Sequence, residues 1–329
     1  MKIALGQINP TVGDFSGNVT KIVDFSKRAK AAGAGLIVFP ELSVSGYPTR
    51  DLVERPAFVA RSRESLDQIA SQTQGIAVIA GLPTPAEAET GKSVMNSAAL
   101  TKDGRVTFVQ SKMLLPTYDV FDESRNFSPA RHQDLFDFCG KRMALTICED
   151  AWNDKHFWSK RLYGVDPVET LVRNGGNFVL NISASPFWMG KRELRRDMLA
   201  SIARTYNVPV AMVNQVGGFD SLVFDGSSLV LDSKGEVIAT GRSFEEDLVI
   251  FDSSTLTGDL HEQIEGEEAS AYAALVLGTR DYVRKCGFKT VLIGLSGGID
   301  SALTAAIAVD AVGKENVIGV GMPSSYSSA

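Results

Sequence analysis

An α/β fold is predicted by three features of this 329-residue chain. Short, strand-sized apolar runs recur, longer segments with helical spacing of apolar residues separate them, and the strands end in polar or turn residues. The last of these is the usual setting of a site in α/β architecture.

The first strand is Ile3 to Gln7, followed by a turn around Asn9 to Asp14 and a helix from about Asn18 to Ala32 that Gly33 and Gly35 end. Leu36-Ile37-Val38-Phe39 is a buried strand, and a helix spans Phe58 to Ser71 before the apolar run Ile76 to Gly81. Met95 to Leu100 and Arg105 to Gln110 form an antiparallel pair across the turn Lys102-Asp103-Gly104. Arg142 to Ile147 is the next strand, followed by an interrupted helical region through Arg173 and the strand Phe178 to Ile182. Lys191 to Tyr206 is a helix. Val210 to Asn214 and Ser228 to Leu231 resume the strands, Asp232-Ser233-Lys234-Gly235 turns the chain, and Asp247 to Phe251 closes a first domain, residues 1–255.

The polar, acidic stretch 256–268 is the expected linker. Beyond it come a helix from Ala269 to Lys285, a strand from Val291 to Leu295, a helix from Asp300 to Val312 and a strand from Val317 to Val320. This single β-turn-α-β passage, residues 269–329, is small for a separate domain. A continuation beyond Ala329, or a missing portion, is therefore expected.

Composition narrows the function classes. Hydrophobic residues make up 44% of the chain, and no apolar stretch approaches the roughly 20 residues that cross a bilayer, so a globular protein without a membrane span is expected. No leader-like apolar segment follows Met1, which favours the cytoplasm. The net charge of −6 argues against a broad nucleic-acid surface. Cys139, Cys148 and Cys286 lack paired spacing, which excludes a disulfide framework and a structural zinc site; Cys139 and Cys286 are expected to be small buried hydrophobes. Lys191, Arg192, Arg195 and Arg196, interleaved with Glu193 and Asp197, are expected to form a solvated helix face.

Three segments carry chemistry in the first domain. Phe39-Pro40-Glu41-Leu42 sets a carboxylate after an apolar strand, where burial raises its proton affinity toward base chemistry; a turn glutamate is the ordinary alternative. Lys112, after another strand, can stabilise negative charge on a carbonyl oxygen or be a surface ammonium. Cys148, in Cys148-Glu149-Asp150-Ala151-Trp152, is a nucleophile or a core thiol. With Lys112-Met113-Leu114-Leu115-Pro116 and Phe121-Asp122-Glu123-Ser124-Arg125, these segments resemble the three catalytic segments of the nitrilase superfamily of carbon–nitrogen hydrolases. The resemblance implies an α-β-β-α sandwich with Cys148 as nucleophile, Glu41 as general base and acid, and Lys112 stabilising the tetrahedral intermediate. Glu123 would support Lys112 or water, a surface salt bridge being its alternative. Asn181-Ile182-Ser183-Ala184-Ser185-Pro186-Phe187 resembles the family's substrate-binding segment. By that match Ser185 bonds glutamine, Lys191 engages its carboxylate and Tyr118 lines the entrance.

Gly294-Leu295-Ser296-Gly297-Gly298-Ile299-Asp300-Ser301 supplies glycines, amides and hydroxyls before a helix, a combination suited to an anion. It has neither the Walker nor the dinucleotide order, and a capped Gly-Gly turn accounts for part of it. The segment resembles the pyrophosphate loop of ATP pyrophosphatases, which would start a Rossmann-like unit binding ATP. Asp300 would then help hold Mg2+ or cap the helix, and Met322 would approach adenine or sit in the core. The order of the two units resembles bacterial glutamine-dependent NAD synthetases, which implies glutamine, ATP and deamido-NAD as substrates and a homo-oligomer. A stand-alone nitrilase-type amidase and a non-catalytic nucleotide-responsive module are the alternatives.

Overall fold

The structure is a computed structural model and describes residues 1–86 and 91–322; the serine-rich end of the chain lies outside these. In chain order the first half contains β1 (Lys2–Gln7), α1 (Phe15–Ala31), β2 (Leu36–Val38), α2 (Pro56–Gln72), β3 (Ala77–Pro85), β4 (Val94–Lys102), β5 (Arg105–Ser111), α3 (Glu123–Asn126), β6 (Phe136–Phe138) and β7 (Lys141–Ile147). Then come α4 (Pro167–Arg173), β8 (Phe178–Ser183), α5 (Lys191–Tyr206), β9 (Val210–Asn214), β10 (Val216–Phe219), β11 (Leu222–Asp225), β12 (Leu229–Leu231), β13 (Val237–Thr240), β14 (Asp247–Asp252) and β15 (Thr257–Gly258). The chain continues through α6 (Glu267–Lys285), β16 (Val291–Leu295), α7 (Ile299–Val312) and β17 (Val317–Gly321).

Two sheets face one another, in the orders β15-β14-β1-β2-β3-β4-β5 and β13-β12-β9-β8-β7-β6. Alternation along each strand builds the layers. Ile3, Leu5, Leu36, Val38 and Ile79 point into the space between the sheets and meet Met143, Leu145, Phe178, Leu180 and Val213 from the second sheet. The intervening Ala4, Ile37, Val78 and Ala80 face the other way, onto α1 and α2. In the second sheet Ala144, Val179, Val210 and Met212 turn outward to meet α5 and its neighbours. Each central strand is buried on both faces, which is why these runs are apolar throughout. The result is the expected helix-sheet-sheet-helix sandwich.

The parallel strands β2, β7 and β8 end at one edge of this sandwich. That edge is where the functional residues collect.

Several expectations are corrected. Cys139 and Cys286 are exposed rather than buried. Cys139 occupies the β6–β7 turn with φ 47°, and Cys286 caps the end of α6, so neither thiol lies within a strand. Arg195 is fully buried, not solvated, and pairs with buried Asp225 of β11. The β10–β11 hairpin falls where no strand was expected, because Gly217 and Gly218 weaken the apolar signal. Apart from these corrections, residues 256–268 carry β15, which pairs with β14, and His261, which bonds Asp247 at 2.7 Å.

The second unit begins with α6, which lies on the β10–β11 hairpin. Leu277 and Ala274 pack on Val216 and Phe244. Asp281 accepts from Gly218 N (2.7 Å) and Asn9 Nδ2 (2.6 Å), and Lys285 donates to Asn9 Oδ1 (2.6 Å) and Gly218 O (3.0 Å). Parallel β16 and β17 carry α7 against α6 around Val283, Ala311 and Val312.

Removing one member of a buried ion pair strands the other charge. Arg195→Leu is expected to cost about 3–5 kcal/mol in denaturant unfolding, and the joint change Arg195→Leu with Asp225→Leu substantially less. Equal losses in both would refute this account of the pair.

Candidate active site

Glu41 follows β2 through Phe39-Pro40, and its carboxylate is completely buried. The turn that carries it lies against β3: Phe39 N donates to Ile79 O and Val44 N to Gly81 O. Gly81 is required there, since a Cβ would sit 2.2 Å from Leu42 N and 2.8 Å from the Glu41 carbonyl carbon. Lys112 follows β5, pinned by Lys112 N to Asn96 O and Ala130 N to Lys112 O. Cys148 directly follows β7 and opens a short 3-10 turn, Cys148–Ala151, with the left-handed φ of 44°. This residue is held in a region that non-glycine residues seldom occupy, a frequent property of functional positions.

These elements bring three charged side chains into one dry space. Lys112 Nζ donates to Glu41 Oε1 (2.7 Å) and to both oxygens of Glu123 (2.8 Å each). Asn96 Nδ2 also donates to Glu41 Oε1 (2.7 Å), and Ala184 N to Glu41 Oε2 (3.0 Å). Tyr47 donates to Glu123 Oε1 (2.9 Å), so Glu123 is an interior residue, not part of a surface salt bridge.

The electrostatics follow from this packing. Burial by itself would discharge Lys112, but Glu123 and then Glu41 overcome it and hold the ammonium well above its usual pKa. Burial pushes Glu123 up, with Lys112 opposing. The Cys148 thiol is driven well above its ordinary value by burial and then by Glu41, Lys112 acting in the other direction. At neutral pH Cys148 is a thiol, and it needs a base to become a nucleophile.

Asp150 ties the lysine and cysteine segments together. Its Oδ1 accepts from Met113 N (3.0 Å) and Leu114 N (2.8 Å), while Oδ2 accepts from Ile147 N (3.1 Å) and Gln133 Nε2 (2.8 Å). Burial raises its pKa to about 6 against those hydrogen bonds.

Outside this cluster lies a second polar group. Glu149 accepts from the Tyr118 hydroxyl at 3.0 and 2.9 Å and from the Tyr163 hydroxyl at 3.0 Å. Lys191 Nζ lies 4.4 Å from the Trp152 ring centroid and 5.4 Å from that of Trp188, a cation–π arrangement. Burial and then Arg195 lower the Lys191 pKa. Ser185 is buried, with its amide donating to Asn214 Oδ1 (2.9 Å) and its carbonyl accepting from Asn214 Nδ2 (3.3 Å). Sequence reasoning singled out Tyr118, Ser185 and Lys191 but missed Glu149 and Tyr163. Adjacency to Cys148 was a usable signal for Glu149; Tyr163 sits in irregular chain and had none.

The Gly294 to Ser301 segment runs from β16 into α7 with Gly297 at φ 84°. Gly298 N donates to Ser296 Oγ (3.4 Å), and Ser301 Oγ donates to Gly298 O (3.0 Å), which folds the turn onto the helix start. Ser296 through Asp300 are exposed, so this end of α7 is open to an anion. Met322 is exposed rather than core, next to Gly294, where an added Cβ would lie 3.5 Å from its terminal methyl. Among the described residues, no group of three or more His, Cys, Asp or Glu is arranged to hold a metal ion.

Residues 2–258 match the carbon-nitrogen hydrolase family model. The chain belongs to the carbon-nitrogen hydrolase family. Residues 271–329 match the NAD synthase model. A glutamine-dependent NAD(+) synthetase of Synechocystis sp. is 45% identical over 99% of this chain and 60% of its own length. The solved structure of glutamine-dependent NAD+ synthetase from Acinetobacter baumannii in complex with ADP superimposes with a TM-score of 0.89 at 39% identity, over 99% of this chain and 60% of that one. An amidase from Nesterenkonia sp. gives a TM-score of 0.65 at 25% identity over 76% of this chain and 89% of its own. The chain thus spans about three-fifths of the length of the NAD synthetase relatives and most of the length of the amidase. No helix among the described residues is long and apolar enough to cross a membrane.

Glu41→Gln removes the anion that most disfavours the Cys148 thiolate. The thiol pKa is therefore expected to fall in that variant, read from the pH dependence of iodoacetamide alkylation. Exposed Cys139 and Cys286 are first replaced by Ser. An unchanged or higher pKa would contradict the electrostatic assignment.

Proposed function

We propose that this chain carries the glutaminase site and the opening ATP-binding segment of a glutamine-dependent NAD synthetase. The observation that carries the proposal is the buried Glu41–Lys112–Glu123 network beside a protonated Cys148. Glu41 takes the thiol proton, the Cys148 sulfur attacks the side-chain amide of glutamine, and the carbonyl oxygen becomes an oxyanion. Lys112 has three N–H bonds. Its three contacts go to Glu41 Oε1 and to the two oxygens of Glu123, and an N–H shared between the Glu123 oxygens would leave one for that oxyanion. Glu41 returns its proton to the nitrogen, ammonia departs and a thioester remains. Water, deprotonated by Glu41, then releases glutamate and restores the thiol.

Glutamine recognition is assigned to the outer group. Glu149 supplies a carboxylate for the α-ammonium, Lys191 an ammonium for the α-carboxylate, Ser185 a further hydrogen bond, and Tyr118 lines the entrance. In the second unit, Gly294, Leu295, Ser296, Gly297, Gly298, Ile299, Asp300 and Ser301 would cradle the β- and γ-phosphates of ATP, with Met322 toward adenine. Mg2+ is commonly held by one or two carboxylates together with substrate phosphates, and exposed Asp300 beside the loop is a donor of that kind. The metal would neutralise the departing pyrophosphate.

In the whole reaction ATP adenylates the nicotinate carboxylate of deamido-NAD, and ammonia displaces AMP to give NAD. The proposal divides the chain into a glutaminase unit over 1–255, a connection over 256–268 and the start of the synthetase unit over 269–329. It includes a homo-oligomer acting in the cytoplasm, where unpaired cysteines remain reduced.

With glutamine as substrate, Cys148→Ala is expected to abolish ammonia release, and Glu41→Gln to slow it by roughly 100- to 10,000-fold. Ammonia release that survives in Cys148→Ala would overturn the glutaminase reading. The synthetase reading is checked by NAD formation from ATP and deamido-NAD in the full-length protein, and fails if ammonia appears without NAD.

A further inference from the structure

We infer that Tyr163, locked in place by Asn153, is a positioning residue that sets the hydrolase site's selectivity for amides bearing an α-ammonium group. This rests on the glutaminase reading and adds to it two residues from a loop outside every strand and helix.

The loop between the 3-10 turn and α4 is exposed at most of its tip: Leu162 is 66% and Val165 51% exposed. Tyr163, between them, instead turns inward and ends on Glu149 Oε1 at 3.0 Å. An irregular loop that mixes charged and aromatic residues has no intrinsic reason to aim one ring this way. Asn153 supplies it. That side chain is 1% exposed, and its amide uses both ends on the loop backbone: Nδ2 donates to Tyr163 O (2.9 Å) and to Val165 O, and Oδ1 accepts from Tyr163 N (3.3 Å). An asparagine bonded to both backbone groups of one residue fixes where that residue's side chain starts.

The consequence falls on Glu149. Its Oε1 receives hydroxyls from both Tyr163 and Tyr118, whereas among the described residues Oε2 receives only Tyr118. The two phenols approach from different segments, residues 116–121 and 153–166, and hold the carboxylate from two sides. Burial and the Glu149 charge keep both tyrosines protonated far above neutral pH, so they are permanent donors here. A carboxylate braced in this way is preorganised, and its less occupied oxygen is available to an incoming cation. Glu149 directly follows Cys148, so a cation on that oxygen also fixes the distance from the substrate's α-carbon to the attacking sulfur. Without the Tyr163 hydroxyl the carboxylate can rotate, and the advantage of an α-ammonium is lost. An amide that has no ammonium gains nothing from Tyr163.

The test compares wild type with Tyr163→Phe on two amides, glutamine and the monoamide of glutaric acid, which has the same length but no α-amino group. Ammonia release gives kcat and KM; where the monoamide turns over too slowly, its inhibition constant against glutamine is used. Tyr163→Phe is expected to raise the KM for glutamine roughly 10-fold. Its kcat should stay within about twofold and the monoamide constant should not change. Asn153→Ala should reproduce this selectivity loss, and the double variant should be no worse than Tyr163→Phe, because both changes act on one contact. If Asn153→Ala does not fold, Tyr163→Phe decides alone. An unchanged KM for glutamine, or equal losses on both amides, overturns the inference and leaves the glutaminase intact. Wild-type protein that releases no Cys148-dependent ammonia removes the glutaminase reading and this inference together.

Discussion

A lysine withdrawn completely from water keeps its charge only where anions surround it, and in this molecule Glu41 and Glu123 do so from two directions. The arrangement sets two carboxylates against one ammonium, immediately beside a thiol. Two properties follow from burial together with these charges. The ammonium persists as a donor for developing negative charge, and the thiol stays protonated until a base acts on it.

Such a cluster needs chain segments far apart in sequence to end at one point to within a hydrogen bond. The sandwich provides this by stacking two sheets whose central strands alternate strictly between the inner core and the helix layers. A register shift of one residue would move every one of those side chains to the wrong face. Fine alignment is left to backbone contacts: Gly81 lets the Glu41 turn lie against β3, and Asp150 draws the segments after Lys112 and before Cys148 onto one carboxylate. Rigid support of this kind lets the reacting groups hold their geometry before substrate arrives.

Much of this was legible in the residues themselves. Strand runs such as Phe178 to Ile182 and the helix Lys191 to Tyr206 announced themselves by period, and Glu41, Lys112, Glu123 and Cys148 by the segments around them. The Gly-rich β10–β11 hairpin was not legible, because its glycines give no alternation to detect, yet it is the surface on which α6 rests. The basic run at the start of α5 was misleading: a charge pattern reports what a helix face could offer to solvent, not that Arg195 would find Asp225 inside the protein. Cys139 and Cys286 misled in the other direction, being placed in turns and caps instead of strands.

The sequence by itself determined the α/β class and the chemical types available at each strand end, because apolar periodicity and turn residues act over a few neighbours and can be read locally; the layered sandwich was implied by the resemblance of its segments to the nitrilase superfamily. Tertiary structure alone decided that Lys112 would be shared by two carboxylates, that Arg195 would be interior, and that Tyr163 would reach Glu149 from an irregular loop. Desolvation and hydrogen-bond pairing depend on which distant groups arrive at the same place, and no local pattern carries that information.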